Sequence, residues 1–306
     1  MPRFRAELIP AMVTPFGADG SLDLDAARAL ARQLVDQGCD GLLVNGTTGE
    51  GPTLTFDEKI VLFHAVKDAV AERGIPVMSG CGGNDTHKSV EEARQMAAHG
   101  VDALLVVVPY YNKPTQRGMI EHFRQIAHAA PDVEIVIYNI PSRCVVRMEA
   151  DTMAALHREC PNIIGVKQSY PDMDALSEIV ALMPSDSWLT WCGDDTLTLP
   201  MLACGAHGVV SVLAHLAARP MRTMLTAFKR GDVAQARALH LKLLHPGREL
   251  FFLPNPTVVK TLLARKGQIP HAAMRPPLVA PDDAEQARID RLYDRMQACC
   301  AAASCG

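Results

Sequence analysis

The strongest constraint on this chain is the regular alternation of short apolar runs with helical patterns. Eight such runs precede residue 213, and they cover residues 7–13, 41–46, 75–80, 102–108, 134–140, 162–167, 188–193 and 208–212. Amphipathic stretches separate them, for example 55–74, where Thr55 and Glu58 form a helix-start pattern and Gly74 a stop. Strands that alternate with helices pair in parallel through right-handed crossovers. Eight units predict a (β/α)8 TIM barrel, which belongs to the α/β class.

A doubly wound open sheet is the alternative fold. Its dinucleotide-binding form carries the glycine pattern G-x-G-x-x-G after the first strand. Here the first strand is followed by "VTPFGADG", which lacks that pattern. The barrel is therefore the favoured fold.

The strand pattern stops at about residue 230. Three helical segments follow, at 231–252, 255–267 and 281–300, with a Pro-rich connector between the last two. We predict a barrel with the active site over residues 1–229 and a small C-terminal helical bundle over residues 230–306.

Composition excludes several classes of protein. The 306 residues carry a net charge of −4, so we expect no nucleic-acid partner. No apolar run reaches the roughly 18 residues of a membrane span, and we expect a cytoplasmic protein. The nine cysteines form no C-x-x-C pair, so neither a disulfide framework nor a metal site is expected.

The active site of such a barrel lies at the carboxyl ends of its strands. These ends carry hydroxyls, two adjacent tyrosines and a third, one arginine and two lysines, but no histidine. The segments are Thr14, 45–50, 80–84, 109–114, 138–143, Lys167, 193–195 and 210–211.

Lys167 is the only lysine within an apolar strand run. Burial disfavours the ammonium form of a lysine, and the neutral amine is the nucleophile that forms a Schiff base. A lysine at a strand end can also extend its charged head into solvent. The residue alone leaves both interpretations open.

Three neighbours bear on that choice, and each has a structural alternative. Tyr138 ends the preceding strand and can exchange protons with an imine, or it is a boundary tyrosine with a satisfied hydroxyl. The "GTTGE" turn can hold a carboxylate through hydroxyls and backbone N–H groups, or it binds nothing. Arg143 can bind a carboxylate in bidentate geometry, or it forms a surface ion pair.

Seven motifs occur in order from the second strand to the C-terminal helices: "GTTGE", "PYYNKPTQ", "YNIPSR", "GVK", "GDD", "GVVSV" and "PNP". Together they resemble the dihydrodipicolinate synthase / N-acetylneuraminate lyase superfamily of pyruvate-dependent class I aldolases, and most closely its synthase branch.

The resemblance implies a catalytic set. Lys167 forms the Schiff base with pyruvate, and Thr47 and Thr48 hold the pyruvate carboxylate. Thr48 also belongs to a proton relay with Tyr138 and Tyr111, and Tyr111 enters from a neighbouring subunit.

The resemblance also implies the remaining contacts and the assembly. Arg143 binds the carboxylate of the second substrate, and Val210 contacts the bound intermediate through its backbone. The expected assembly is a homotetramer built as a dimer of dimers. The covalent imine on Lys167 replaces any metal or organic cofactor.

Arg143 and "PYYNKPTQ" resemble the synthases, which condense pyruvate with aspartate semialdehyde in lysine biosynthesis. Three departures point elsewhere: Cys144-Val145 instead of Thr-Gly, "KQSY" after the sixth strand, and Leu253 in place of an acidic residue. A 2-keto-3-deoxy sugar acid or a pyrroline carboxylate is therefore an alternative second substrate.

Two hypotheses from other classes remain. One is a catalytically silent paralogue that serves as a binding or regulatory protein, and the other is a phosphate-binding barrel enzyme. The acidic "GDDTLTLP" after the seventh strand disfavours the second.

Lysine-inhibited relatives carry a His and a Glu where this chain has Phe56 and Lys88, and we expect L-lysine to inhibit weakly or not at all.

Overall fold

Eight parallel strands form a closed barrel in the computed structural model, which describes the backbone of residues 1–303 and the side chains of residues 1–296. Each strand pairs with its sequence neighbour, β1 pairs with β8, and a parallel bridge between Ala11 and Leu43 joins β1 to β2. The strands are β1 (Leu8–Pro10), β2 (Leu42–Val44), β3 (Val77–Cys81), β4 (Ala103–Val107), β5 (Glu134–Asn139), β6 (Ile163–Gln168), β7 (Leu189–Cys192) and β8 (Gly208–Ser211). The predicted TIM barrel is confirmed.

Helices follow the strands and cover the outside of the barrel. The first nine are α1 (Leu24–Asp36), α2 (Phe56–Val70), α3 (Thr86–Ala98), α4 (Gln116–Ala129), α5 (Pro141–Cys144), α6 (Ala150–Glu159), α7 (Met173–Leu182), α8 (Thr198–Ala203) and α9 (Ala214–Lys229). Strands β5 and β6 are buried along their whole length, because side chains face the barrel interior on one side and helices on the other.

Helix α2 begins as the sequence predicts. The Thr55 hydroxyl accepts a hydrogen bond from the Glu58 N–H, and the Glu58 carboxylate accepts one from the Thr55 N–H. A short 3-10 turn follows the helix, and Gly74 ends it in the left-handed conformation.

Three helices follow the barrel: α10 (Val233–Glu249), α11 (Thr257–Arg265) and α12 (Asp283–Ala303). They match the three helical segments expected from the sequence. The proposed boundary at residue 229 falls between α9 and α10, and the division into two folding units stays a prediction. None of the described helices is long and apolar enough to cross a membrane.

Candidate active site

Lys167 lies one residue from the carboxyl end of β6, and only 6% of it is exposed. It pairs in register with Tyr138 on β5, and its Nζ lies 4.0 Å from the centroid of the Tyr138 ring. No carboxylate in the described part of the chain lies within ion-pair distance of this Nζ. The structure therefore places a buried amine against an aromatic face, with no acidic partner.

The three residues after Lys167 point in different directions. Gln168 faces away from the barrel interior, and its side-chain oxygen accepts a hydrogen bond from the amide of Asn139 at 3.0 Å. Tyr170 packs against the guanidinium of Arg147. Of the "QSY" departure, only Ser169 shares the inward face with Lys167.

Ser169 and Lys167 both pack against the backbone of Gly193, which follows β7. A Cβ atom on Gly193 would lie 1.9 Å from the Ser169 Oγ and 3.0 Å from the Lys167 Cε. The Ser169 hydroxyl is buried and has no hydrogen-bond partner among the described residues. A buried hydroxyl without a partner is unfavourable, and such groups concentrate at functional sites.

Thr48 lies in the turn after β2 and is 4% exposed. Its Oγ accepts a hydrogen bond from the amide nitrogen of Asn255 at 2.8 Å. In the described structure no hydrogen bond joins Thr48 to Tyr138. The relay expected between these hydroxyls stays a prediction.

A cavity of about 390 Å³ opens at the carboxyl ends of β2 to β5. Thr47, Tyr138 and Arg143 line it, whereas Lys167, Thr48, Tyr111 and Val210 do not. Asn45 and Cys81 belong to the rim segments expected from the sequence, and Cys144 was noted as a departure, whereas Leu54 and Lys59 also line the cavity and were missed.

Arg143 lies in α5, a four-residue helix in a segment expected to be a loop, and its side chain is exposed at the cavity. Val145 ends this helix with a φ of +69°. The adjacent Cys144 donates a weak hydrogen bond from Sγ to the carbonyl of Val108, and burial raises its thiol pKa to about 11. Its thiol is therefore protonated at neutral pH.

Tyr111 is 86% exposed and adopts a left-handed conformation with a φ of +71°. Its neighbour Tyr110 turns towards the cavity instead. The structure thus separates Tyr111 from Lys167 of its own chain.

Val210 lies in β8, paired with Ile9, and is 2% exposed. The end of β8 is supported by Asp195, whose carboxylate accepts hydrogen bonds from the Ser211 hydroxyl and from the N–H groups of Val212 and Leu213. Complete burial raises the pKa of Asp195 to about 6, and the three hydrogen bonds oppose that rise.

Lys260 in α11 is a second buried lysine, and because it lies in a helix the apolar strand runs do not indicate it. Its Nζ lies 2.7 Å from the Glu50 Oε1, and the side chains are 0% and 1% exposed. The motif "PNP" was a signal for this region, since it immediately precedes α11. No group of three or more His, Cys, Asp or Glu side chains in the described residues could hold a metal ion.

A barrel of eight parallel strands with a buried lysine beside a tyrosine at its rim is the arrangement expected of a lyase of the class I aldolase type. Residues 5–295 match the dihydrodipicolinate synthetase family. The chain belongs to this family.

Individual relatives are similar over nearly the whole chain. The 4-hydroxy-tetrahydrodipicolinate synthase of Moorella thermoacetica is 48% identical over 282 residues, which cover 92% of this chain and 95% of the relative. A crystal structure of dihydrodipicolinate synthase from Cyanidioschyzon merolae with lysine bound has a TM-score of 0.93 at 36% identity, covering 96% and 99% of the two chains. A structure described as the first monomeric dihydrodipicolinate synthase variant has a TM-score of 0.91 at 33% identity, covering 95% and 97%.

Proposed function

We propose that this protein forms a Schiff base between Lys167 and pyruvate and condenses the adduct with aspartate semialdehyde. This is the reaction of a 4-hydroxy-tetrahydrodipicolinate synthase, the name that relatives of 42–48% identity carry. The observation that carries the proposal is the placement of the Lys167 Nζ 4.0 Å from the Tyr138 ring at the buried rim of the barrel.

The reaction begins when the neutral amine of Lys167 adds to the carbonyl carbon of pyruvate. The nitrogen loses a proton and the oxygen gains one, giving a carbinolamine, which then loses water to form the imine. Tyr138, whose ring centroid lies 4.0 Å from that nitrogen, transfers these protons. The turn that contains Thr47 and Thr48 holds the pyruvate carboxylate with its hydroxyl and N–H groups.

The imine then acts as the electron sink. The methyl carbon of the adduct loses a proton, and the resulting enamine attacks the aldehyde carbon of the second substrate. The aldehyde oxygen takes up a proton in the same step. The amino group of the second substrate then adds to the imine carbon and displaces the Lys167 amine, which closes the ring and frees the enzyme, so bonds, charge and protons balance. Arg143, exposed at the cavity, binds the carboxylate of that substrate, and the Val210 backbone contacts the intermediate. Enzymes of this family need no external cofactor.

Tyr111 supports an oligomeric enzyme. Its phenol is 86% exposed and is held outward by a left-handed backbone, so it is available to a neighbouring subunit rather than to its own site. We propose a homotetramer built as a dimer of dimers, in the cytoplasm, in which Tyr111 completes the proton relay of the partner. One related structure is described as a monomeric variant. The oligomeric state of this chain is therefore measured directly, by sedimentation analysis of the parent and of Tyr111→Ala.

Borohydride reduction with pyruvate, followed by intact mass and peptide mapping, tests the Schiff base. The expected result is one pyruvate-derived adduct on Lys167, and none on Lys167→Arg. A folded parent protein without an adduct would contradict the proposed chemistry. An adduct that persists in Lys167→Arg would assign it to another residue, and a silent paralogue would give neither adduct nor turnover.

The second substrate is tested by comparing aspartate semialdehyde with 2-keto-3-deoxy sugar acids and a pyrroline carboxylate. The inward hydroxyl of Ser169 is the specific observation in favour of the hydroxylated alternatives. Arg143→Ala should raise the KM for aspartate semialdehyde without loss of the pyruvate adduct. Arg147→Ala is the matched control, because Arg147 pairs with Glu149 outside the cavity. Equal effects of the two variants would refute the role of Arg143.

A further inference from the structure

The segment from Asn255 to Arg275, which follows the barrel and is called the C-terminal segment below, contacts the Thr47–Glu50 turn. Both oxygens of the Glu50 carboxylate bind there: Oε1 pairs with the Lys260 Nζ at 2.7 Å, and Oε2 accepts from the Arg275 N–H at 2.9 Å. Glu50 itself adopts a left-handed conformation with a φ of +54°. The turn is therefore fixed at its end by residues more than 200 positions away in the sequence.

The same segment reaches the turn a second time, at Thr48. The amide nitrogen of Asn255 lies 2.8 Å from the Thr48 Oγ and donates a hydrogen bond to it. This is the one hydrogen bond to that oxygen in the described part of the chain. The side-chain oxygen of Asn255 is buried and lacks a hydrogen-bond partner among the described residues. Asn255 thus presents its donor to the threonine and leaves its acceptor unused.

The direction of this hydrogen bond limits what Thr48 can do. An amide nitrogen donates and cannot accept, whereas a hydroxyl has one proton and two lone pairs. One lone pair of Oγ is occupied by Asn255, so the Thr48 O–H points away from Asn255. The second lone pair stays available to accept a proton from another hydroxyl.

We propose that Asn255 is a positioning residue that sets the direction of proton transfer through Thr48. The inference rests on the proposed function and on the proton relay of Thr48, Tyr138 and Tyr111 that the family resemblance implies. In each transfer Thr48 gives one proton and takes one, and Asn255 keeps both of its amide hydrogens. By occupying one lone pair, Asn255 keeps the Thr48 proton directed into the relay.

The test is the isosteric change Asn255→Asp. A carboxylate only accepts, so the Thr48 O–H turns towards it and leaves the relay. We expect kcat to fall on the order of 10- to 100-fold. The KM for aspartate semialdehyde, whose carboxylate Arg143 binds, should stay unchanged, and the borohydride-trapped adduct on Lys167 should still form. A kcat within twofold of the parent would overturn the proposal.

A double-mutant cycle separates positioning from general loosening of the fold. If Asn255 acts through Thr48, the variant Thr48→Val, which has no hydroxyl to orient, should lose nothing more when Asn255→Asp is added. Independent, multiplicative losses in kcat would refute the inference.

Thr261→Val is the matched structural control. Among the described residues the Thr261 hydroxyl bonds only to the Thr257 carbonyl within α11, so this variant perturbs the same segment without touching Thr48. It should keep the parental kcat, and a loss equal to that of Asn255→Asp would also overturn the proposal. Failure of the parent to form the pyruvate adduct would count against the proposed function instead, because that adduct does not depend on Asn255.

Discussion

The ammonium group of Lys260 and the carboxylate of Glu50 form an ion pair of 2.7 Å that is almost completely closed to solvent. Removal of one partner leaves an uncompensated buried charge. We therefore expect Lys260→Met to lower the free energy of unfolding by about 3–5 kcal/mol, measured by urea denaturation at neutral pH.

Arg28→Ala is the comparison for that variant. Arg28 pairs with Asp25, which is 96% exposed, so its loss should change stability by less than about 1 kcal/mol. Similar small losses in both variants would show that the Lys260 pair does not hold the structure together.

His215 gives the protein a pH dependence with a defined sign. Its Nε2 accepts from the Val13 N–H, and its Nδ1 donates to the Val212 carbonyl, so the folded state holds the neutral ring. Complete burial lowers its pKa from 6.5 to about 4. The contribution of His215 to the free energy of unfolding is therefore fully present above pH 6.5 and is lost as the pH falls from 6.5 towards 4.

The comparison of the parent with His215→Gln isolates this contribution. At about 1.4 kcal/mol per pH unit, the stability advantage of the parent should shrink by about 2 kcal/mol between pH 7 and pH 5. Asp195, whose pKa is raised to about 6, titrates in the opposite direction but is present in both proteins. A difference in unfolding free energy that stays constant across this range would contradict the assignment.

Val145→Gly should stabilise the protein. Val145 has a φ of +69°, a region that is strained for a β-branched side chain, and its side chain is 64% exposed, so little packing is lost. Relief of about 1–2 kcal/mol exceeds the roughly 0.5–1 kcal/mol that glycine costs through its flexibility in the unfolded chain. A rise in thermal midpoint is expected. A lower midpoint would mean that Val145 makes compensating contacts.

Gly193→Ala should damage the site. The added methyl would lie 1.9 Å from the Ser169 Oγ and 3.0 Å from the Lys167 Cε, so both side chains must shift. We expect kcat/KM to fall on the order of 100-fold. Addition of Ser169→Gly should restore part of that loss.

Gly118→Ala in α4 serves as the control for Gly193→Ala and for the double variant with Ser169→Gly. Its nearest contact would be an ordinary one, 3.4 Å from the Pro114 Cβ, so activity should be unchanged. Full activity in Gly193→Ala would show that Lys167 is not confined by this glycine.

L-Lysine should inhibit weakly or not at all. Lys88 is exposed on α3, and its ammonium would repel that of the ligand. Initial-rate assays with increasing lysine check this prediction, with Lys88→Glu as the variant expected to gain sensitivity. Strong inhibition of the parent at sub-millimolar lysine would contradict it.

The barrel was predictable because eight strands buried on both sides leave uninterrupted apolar runs in the sequence, and Lys167 interrupts one of them. Gly193 and Lys260 were not predictable in the same way. A glycine needed for close approach resembles any turn glycine, and a lysine in a helix resembles a solvated one until the covering surface is known. Ser169 was noted only as part of the departure after Lys167. Strand alternation relates its direction to that of Lys167, but it does not reveal that its hydroxyl lacks a partner among the described residues.

The dependence of the Thr47–Glu50 turn on α11 has a consequence for biosynthesis. During translation Glu50 leaves the ribosome about 210 residues before its counter-ion Lys260, at a rate of about 5–20 residues per second. All eight strands are synthesised within that interval, which ends at Lys260, but until then the turn has no Lys260 cation to neutralise its carboxylate. The enzyme therefore gains its mature site only when most of the polypeptide has been synthesised, and a nascent chain released earlier lacks it.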